Sequence, residues 1–166
     1  MTNETTQVAI IMGSDSDLPI VEAAFPILDS FGVTFTKNVM SAHRTPHDVM
    51  ELIKNSEQNG CKVFIAAAGM AAHLAGAVAA HSTKPVIGIP IESGGMGGID
   101  SLLSTAMMPP GVPVATVAVG KSGAKNSAIL AVQILATSDD DLARKLKDYK
   151  ENMRAEVLEK DKQLNS

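Results

Sequence analysis

Five short apolar runs, each followed by a stretch of helical character, predict a doubly wound α/β domain built on a parallel sheet. The runs at 8–12, 62–68 and 85–89 are near-continuous rather than alternating, which suits strands covered on both faces. The composition agrees: 45% of the 166 residues are hydrophobic but only 3% are aromatic, so the core must come from Ala, Val, Ile, Leu and Met. Small side chains let helices lie close to a sheet and subunits close to one another. The length suits one domain, with an α/β core at 7–137 and a docking helix at 139–164.

The elements follow in order. Val8–Met12 is the first strand, and Gly13-Ser14-Asp15-Ser16-Asp17 turns the chain into a helix over 18–31 that Gly32 closes. A second strand from Phe35 ends near Met40. The next helix starts at Pro46, with Thr45 as its N-cap and Asp48 at the capping-box position, and runs to Gly60 with Val49, Leu52 and Ile53 inward. The third strand, 62–68, leads through Gly69-Met70-Ala71-Ala72-His73-Leu74 into a small-residue helix ending about His81. Strand four, 85–89, is followed by the glycine-rich loop 92–98 and a helix to about Met108. Pro109-Pro110-Gly111 is a hard break, after which 112–119 is strand five and 126–136 the fifth helix. Beyond that unit, Leu142, Leu146, Tyr149, Met153 and Val157 recur at helical spacing, so the charged tail predicts a long amphipathic helix that must dock somewhere.

Five such units favour the flavodoxin-like strand order 2-1-3-4-5, three layers deep. That order makes the first strand the neighbour of the second and third. The loops carrying Ser14, His43 and His73 then converge at the carboxyl edge, beside the topological switch point where open α/β sheets bind ligands.

Bulk properties narrow the function classes. A net charge of −4 and only four Phe and one Tyr argue against a nucleic-acid surface. The same shortage of rings disfavours a flavin site. Cys61 stands alone, so no internal disulfide is expected. The polar Met1-Thr2-Asn3-Glu4-Thr5-Thr6 does not resemble a signal peptide, and no apolar run approaches membrane-spanning length. The expectation is a soluble cytoplasmic protein with neither membrane nor nucleic-acid partner.

Three motifs carry chemistry. In Ser41-Ala42-His43-Arg44-Thr45-Pro46 a titratable imidazole stands beside a fixed cation in a strand-to-helix loop. Gly13-Ser14-Asp15-Ser16-Asp17 offers hydroxyls and amides at a helix start. Alone it reads equally well as a Ser/Asp-capped turn, and its two carboxylates would repel a bare phosphate. Arg44, across the switch point, supplies the bidentate cation they cannot, leaving the carboxylates to meet ribose hydroxyls. His73 is either a site member or a neighbour of the helix cap. His43 and His47 are four apart, but the helix starts between them, so they do not share a face. His81 suits a helix C-terminus. No Cys, His or carboxylate cluster has metal-ligand spacing, so no metal is expected. Gly120-Lys121-Ser122 lacks the earlier glycine of a phosphate-binding P-loop, because Ala115 stands there, and the run 94–98 lacks dinucleotide spacing. That run reads as a mobile loop over a pocket or a long turn. No Gly-x-Ser-x-Gly elbow is present.

Together these motifs resemble the PurE family, the class I N5-carboxyaminoimidazole ribonucleotide mutases of purine synthesis. Ala71-Ala72-His73-Leu74 completes the set, and Asp100-Ser101-Leu102-Leu103-Ser104 and Gly111-Val112-Pro113-Val114-Ala115-Thr116 extend the resemblance across 7–137. Met70 and Ala75 stand where the family pattern carries a glycine and a proline, and Met107 where it carries glutamine. The resemblance implies a carboxyl shift from the exocyclic nitrogen of an imidazole ribonucleotide to ring carbon 4, with no cofactor, in a homo-octamer. It implies His43 as general acid and base. Ser14, Ser16, Asp17, Ser41, Arg44, Gly69, Ala72, His73 and Leu74 are then the implied substrate-binding residues. Three rivals remain: a carboxylase on the same fold that takes carbon dioxide directly, a sugar-phosphate isomerase or aldolase using His43, and a flavodoxin-like binding module.

Overall fold

A computed structural model describes residues 5–166; the expectation for the polar segment 1–4 lies outside the described residues. The elements are β1 (Val8–Met12), α1 (Leu18–Val21), α2 (Phe25–Phe31), β2 (Phe35–Val39), α3 (Pro46–Gln58), β3 (Val63–Gly69), α4 (Leu74–His81), β4 (Val86–Ile91), α5 (Ile99–Ala106), β5 (Ala115–Thr116), α6 (Lys121–Ala136) and α7 (Asp140–Leu164). The five strands form one sheet in the order β2-β1-β3-β4-β5, every pair parallel.

Burial explains the run pattern. All of β1 and β4 and the first five residues of β3 are buried, as continuous apolar strands between two helical layers should be. One face of the sheet packs Val8, Ile10, Ile65, Ile87 and Ile89 against α1, α2 and α6; the other packs Ile11, Phe64 and Ala66 against α3 and α4. With so few rings, α6 reaches the sheet through Ala124, Ala128 and Ala131. Gly88 keeps β4 within reach of Thr105 and Val114, where a Cβ would collide with both.

Four local expectations need correction. The first helix is broken: 3₁₀ turns at Asp15–Asp17 and Glu22–Ala24 flank α1, with Pro19 and Pro26 near the starts of α1 and α2. Strand five shrinks to two ladder residues. Pro113 has no amide to donate, although Val117 N–H still reaches Gly88 O at 3.1 Å and Gly120 N–H reaches Pro90 O at 2.9 Å. The fifth helix begins five residues early, at Lys121, because Gly123 lies against Ala118 O, where a Cβ would collide. Thr45 holds the N-cap position of α3, but its side chain makes no cap bond. Its hydroxyl accepts Ser41 N–H at 2.9 Å and donates to Ser41 O at 3.0 Å, closing the loop instead.

The tail is one 25-residue helix. Asp139 caps it by accepting the Asp141 and Leu142 amides, and Leu142, Leu146 and Tyr149 pack on this chain's own core, with Tyr149 against Phe31. From Lys150 onward every residue is exposed. The half of the stripe beyond Tyr149 is therefore left uncovered by this chain. No helix among the described residues is long and apolar enough to cross a membrane.

Candidate active site

Parallel strands end together at one edge of the sheet, and there three serines occupy equivalent places. Ser14, Ser41 and Ser93 each stand two residues past the carboxyl end of a strand, β1, β2 and β4 respectively. With the loop after β3 they border a cleft of about 510 Å³. Nine of the ten sequence-predicted site residues line it: Ser14, Ser16, Asp17, Ser41, His43, Arg44, Gly69, His73 and Leu74. Ala72 does not. It is buried behind the wall, and its amide donates to Ser104 Oγ at 2.9 Å.

The loop after β1 is a tight hydrogen-bonded knot. Ser14 and Asp17 form a capping box, with Ser14 N–H donating to Asp17 Oδ2 at 3.2 Å. Ser16 N–H reaches Ser14 Oγ at 3.3 Å, and the two hydroxyls lie 2.8 Å apart. Asp17 is only 5% exposed. Burial pushes its carboxyl above its ordinary value, the Ser14 amide pulls it back, and the neighbouring charge of Asp15 pushes it up again.

Arg44 links this knot to the loop after β2. Its backbone N–H donates to Ser41 Oγ at 3.1 Å, and its Nη2 donates to Gly13 O at 3.0 Å. Among the described residues no carboxylate forms an ion pair with it. The guanidinium is thus aimed but not neutralised, which suits an anion that arrives from outside. A second recess of about 320 Å³, between the ends of β1 and β2, shares Gly13, Ser14, Ser41 and Arg44 with the main cleft. Arg44 therefore borders both spaces.

At the other end, His43 reaches across to the loop after β3. Its Nε2 lies 2.8 Å from Nδ1 of His73, with the ring centroids 4.9 Å apart and the planes crossed at 78°. One ring donates and the other accepts, so a single proton sits between those two nitrogens. His73 stands at the N-cap of α4 but makes no side-chain cap bond, which favours its reading as a site member. His47, in the first turn of α3, is exposed and away from the cleft, and His81 bonds back to Ala77 O at the end of α4. No group of three or more His, Cys, Asp or Glu side chains suited to a metal ion occurs among the described residues.

Six wall residues lie outside the sequence-predicted set, Gly13, Ala42, Ala68, Met70, Ala71 and Ser93, and two of them shape the wall most. Ser93 was hidden because strand four runs two residues further than its apolar run predicts, to Ile91; the signal was the repeated serine two past a strand end. Its side chain fills the space that a Cβ on Gly69 would need, so Gly69 is required for close approach. Met70 lines the cleft with a left-handed φ of +55°. The 94–98 loop does not cover the cleft in this chain: residues 92–97 are exposed, and Gly94, Gly95 and Gly97 have open space around them.

Comparison with known proteins matches this arrangement to one family. The AIR carboxylase family model matches residues 7–156. A protein of Bacillus subtilis named N5-carboxyaminoimidazole ribonucleotide mutase is 52% identical over 95% of this chain and 97% of its own. A Thermotoga maritima protein of the same name is 51% identical over 95% of this chain and 91% of its own. The crystal structure of Treponema denticola PurE superposes with a TM-score of 0.88 at 30% identity, covering 96% of this chain and 99% of the other. Matched along nearly its whole length in sequence and in fold, the chain belongs to the AIR carboxylase family.

Proposed function

We propose that this chain is an N5-carboxyaminoimidazole ribonucleotide mutase, moving the carboxyl group from the exocyclic nitrogen to ring carbon 4 of the imidazole. The observation that carries the reading is the placement, along one cleft, of an unneutralised guanidinium at one end and a proton-sharing histidine pair at the other. Arg44 takes the 5′-phosphate. Asp17, Ser14 and Ser16 take the ribose hydroxyls, and the base then lies toward His43.

The proton balance explains why one imidazole suffices. Cleaving the N–CO₂⁻ bond leaves its electron pair on nitrogen, which must take up one proton as carbon dioxide departs. The electron-rich ring carbon 4 attacks the trapped carbon dioxide, and the adduct loses one proton to restore the aromatic ring. One proton in and one out cancel. His43 gives the first and recovers the second, and His73 supports the exchange through the shared hydrogen bond. Binding energy at the phosphate holds the reacting atoms in register though it touches none of them. The trapped gas needs a dry wall, and Ala68, Gly69, Ala71 and Leu74 supply one side of it.

The other side is open in a single chain, and large apolar residues stand exposed nearby. Ile99 and Leu103 on α5 are 58% and 53% exposed, Met107 just past its end is 78% exposed, and Met96 before it is 62% exposed. The distal half of α7 adds Met153, Val157, Leu158 and Leu164. Such faces support a closed homo-oligomer, the octamer of the family resemblance, in which a neighbouring copy covers them. Removing residues 150–166 and measuring mass by light scattering tests this. A smaller assembly is expected, and an unchanged mass contradicts it.

The activity is tested with substrate carrying ¹³C only in its carboxyl group, incubated in unlabelled bicarbonate without nucleotide. A mutase retains the label in the product. Loss of the label into bicarbonate would instead mark a carboxylase that takes carbon dioxide from solution.

A further inference from the structure

The loop between β3 and α4 holds an uncommon backbone whose support comes from elsewhere. Met70 is the one non-glycine residue with positive φ among the described residues, at +55°. Its side chain is 63% exposed, so packing does not keep it there. Left-handed backbone is unfavourable for a residue with a Cβ and persists only where the surroundings impose it. The surroundings here are on α5. Ser104 Oγ accepts the Ala72 N–H at 2.9 Å, and it lies 2.7 Å from Asp100 O and 3.3 Å from Met70 O. A hydroxyl has one proton to give, so its firm grip on the loop is the bond it accepts from Ala72. Before the turn, Gly69 is packed against Ser93. After it comes His73, whose ring meets His43. The loop is thus pinned at its start and at Ala72, with the strained residue between.

We propose that Ser104 is a positioning residue: by accepting the Ala72 amide it keeps Met70 left-handed, and through that turn it sets the His73 ring against His43. Without the bond, Met70 relaxes to negative φ and carries the following residues with it. Ser104 lines no part of the cleft and touches no substrate, so its effect falls on the chemical step while the grip of Ser14, Asp17 and Arg44 is left alone. The kinetic part of this inference rests on the mutase reading; the geometric part does not.

Four proteins test it: the unsubstituted chain, Ser104→Ala, Met70→Gly and the double variant, with Ser104→Thr as the hydroxyl-retaining control. Alanine is the best helix former, so α5 keeps its fold. Misplaced reacting groups cost rate, so Ser104→Ala is expected to lower kcat about ten- to a hundredfold with KM within about threefold. In the Met70→Gly background, where left-handed backbone carries no penalty, the same change is expected to cost less than about twofold. Ser104→Thr recovers most of the rate. Imidazole ¹H–¹⁵N spectra of the unliganded proteins provide a readout free of turnover. The signature of the His43–His73 hydrogen bond disappears in Ser104→Ala and survives in the double variant. Equal losses in both backgrounds, a rise in KM alone, or unchanged imidazole spectra in Ser104→Ala would overturn the proposal. If the unsubstituted chain fails to turn over the ribonucleotide, the mutase reading fails and the spectra alone decide the role of Ser104.

Discussion

The carboxyl edge of the sheet is made of two unlike halves. The loops after β1 and β2 are short and cross-bonded. Ser14 binds Asp17 and Ser16, Thr45 binds Ser41, and Arg44 ties the two loops together through Gly13. The loops after β3 and β4 are rich in Ala, Gly and Met, make few bonds of their own, and contain the left-handed Met70. The first half is organised by its own hydrogen bonds, as a surface that must hold a charged ligand should be. The second leans on α5 and leaves apolar surface open, as a surface that must enclose a small neutral gas should. Gripping is therefore carried by the first half and enclosure by the second, and His43, beside Arg44 in the loop after β2, is the side chain that reaches from one half to the other.

The largest effect is expected at that bridge. His43→Asn removes proton transfer but no core contact, and turnover should fall about a hundred- to ten-thousandfold, in the range general acid–base groups supply. Steady-state assay in both directions checks it, and near-normal rates would shift the role to His73. Arg44→Ala comes next. It should weaken binding by about 1.5–3 kcal/mol for the phosphorylated ligand and by far less for the dephosphorylated one. Equal losses for both would remove Arg44 from the phosphate and blur the division of the edge.

Asp17→Asn should be milder and should separate function from stability. The amide oxygen can still accept the Ser14 N–H, so affinity should fall by about 1 kcal/mol rather than vanish. Because burial raises the Asp17 carboxyl, the folded protein keeps that proton to a higher pH than the unfolded chain does. In strong acid both states are protonated and nothing is contributed. As pH rises between the ordinary and the raised value, the unfolded chain ionises first, stability falls, and the penalty persists in full above that window. The variant lacks this slope, so its Tm should gain on that of the unsubstituted protein across the same window. A Tm difference independent of pH would contradict the assigned cause. The smallest expected effect is none: exhaustive chelation should leave the rate unchanged, and activity restored by one specific ion would contradict the proton balance drawn around His43.

The first half of the edge was legible in the sequence because it is local. Ser14, Asp17 and Arg44 lie within a few residues of strand ends that the apolar runs mark clearly, and the switch point of a 2-1-3-4-5 sheet brings those loops together. The second half was less so. Ser93 depends on a strand that outlasts its apolar run, and the left-handed turn at Met70 depends on Ser104, thirty-four residues away. Thr45 shows the same limit in reverse. Its position suits a cap, yet Ser41 offers its hydroxyl both a donor and an acceptor and wins. The tail divides likewise: its helical period was plain, but which half of the stripe meets this chain's own core is set by where α6 ends and Phe31 lies.

The division between gripping and reacting is tested most directly by titrating the ribonucleotide into His43→Asn protein by calorimetry. The expected result is an affinity within about threefold of the unsubstituted protein's, retained dependence on the 5′-phosphate, and no turnover during the titration. An affinity that collapses together with turnover would show that His43 belongs to the grip, and that the edge is not divided as described.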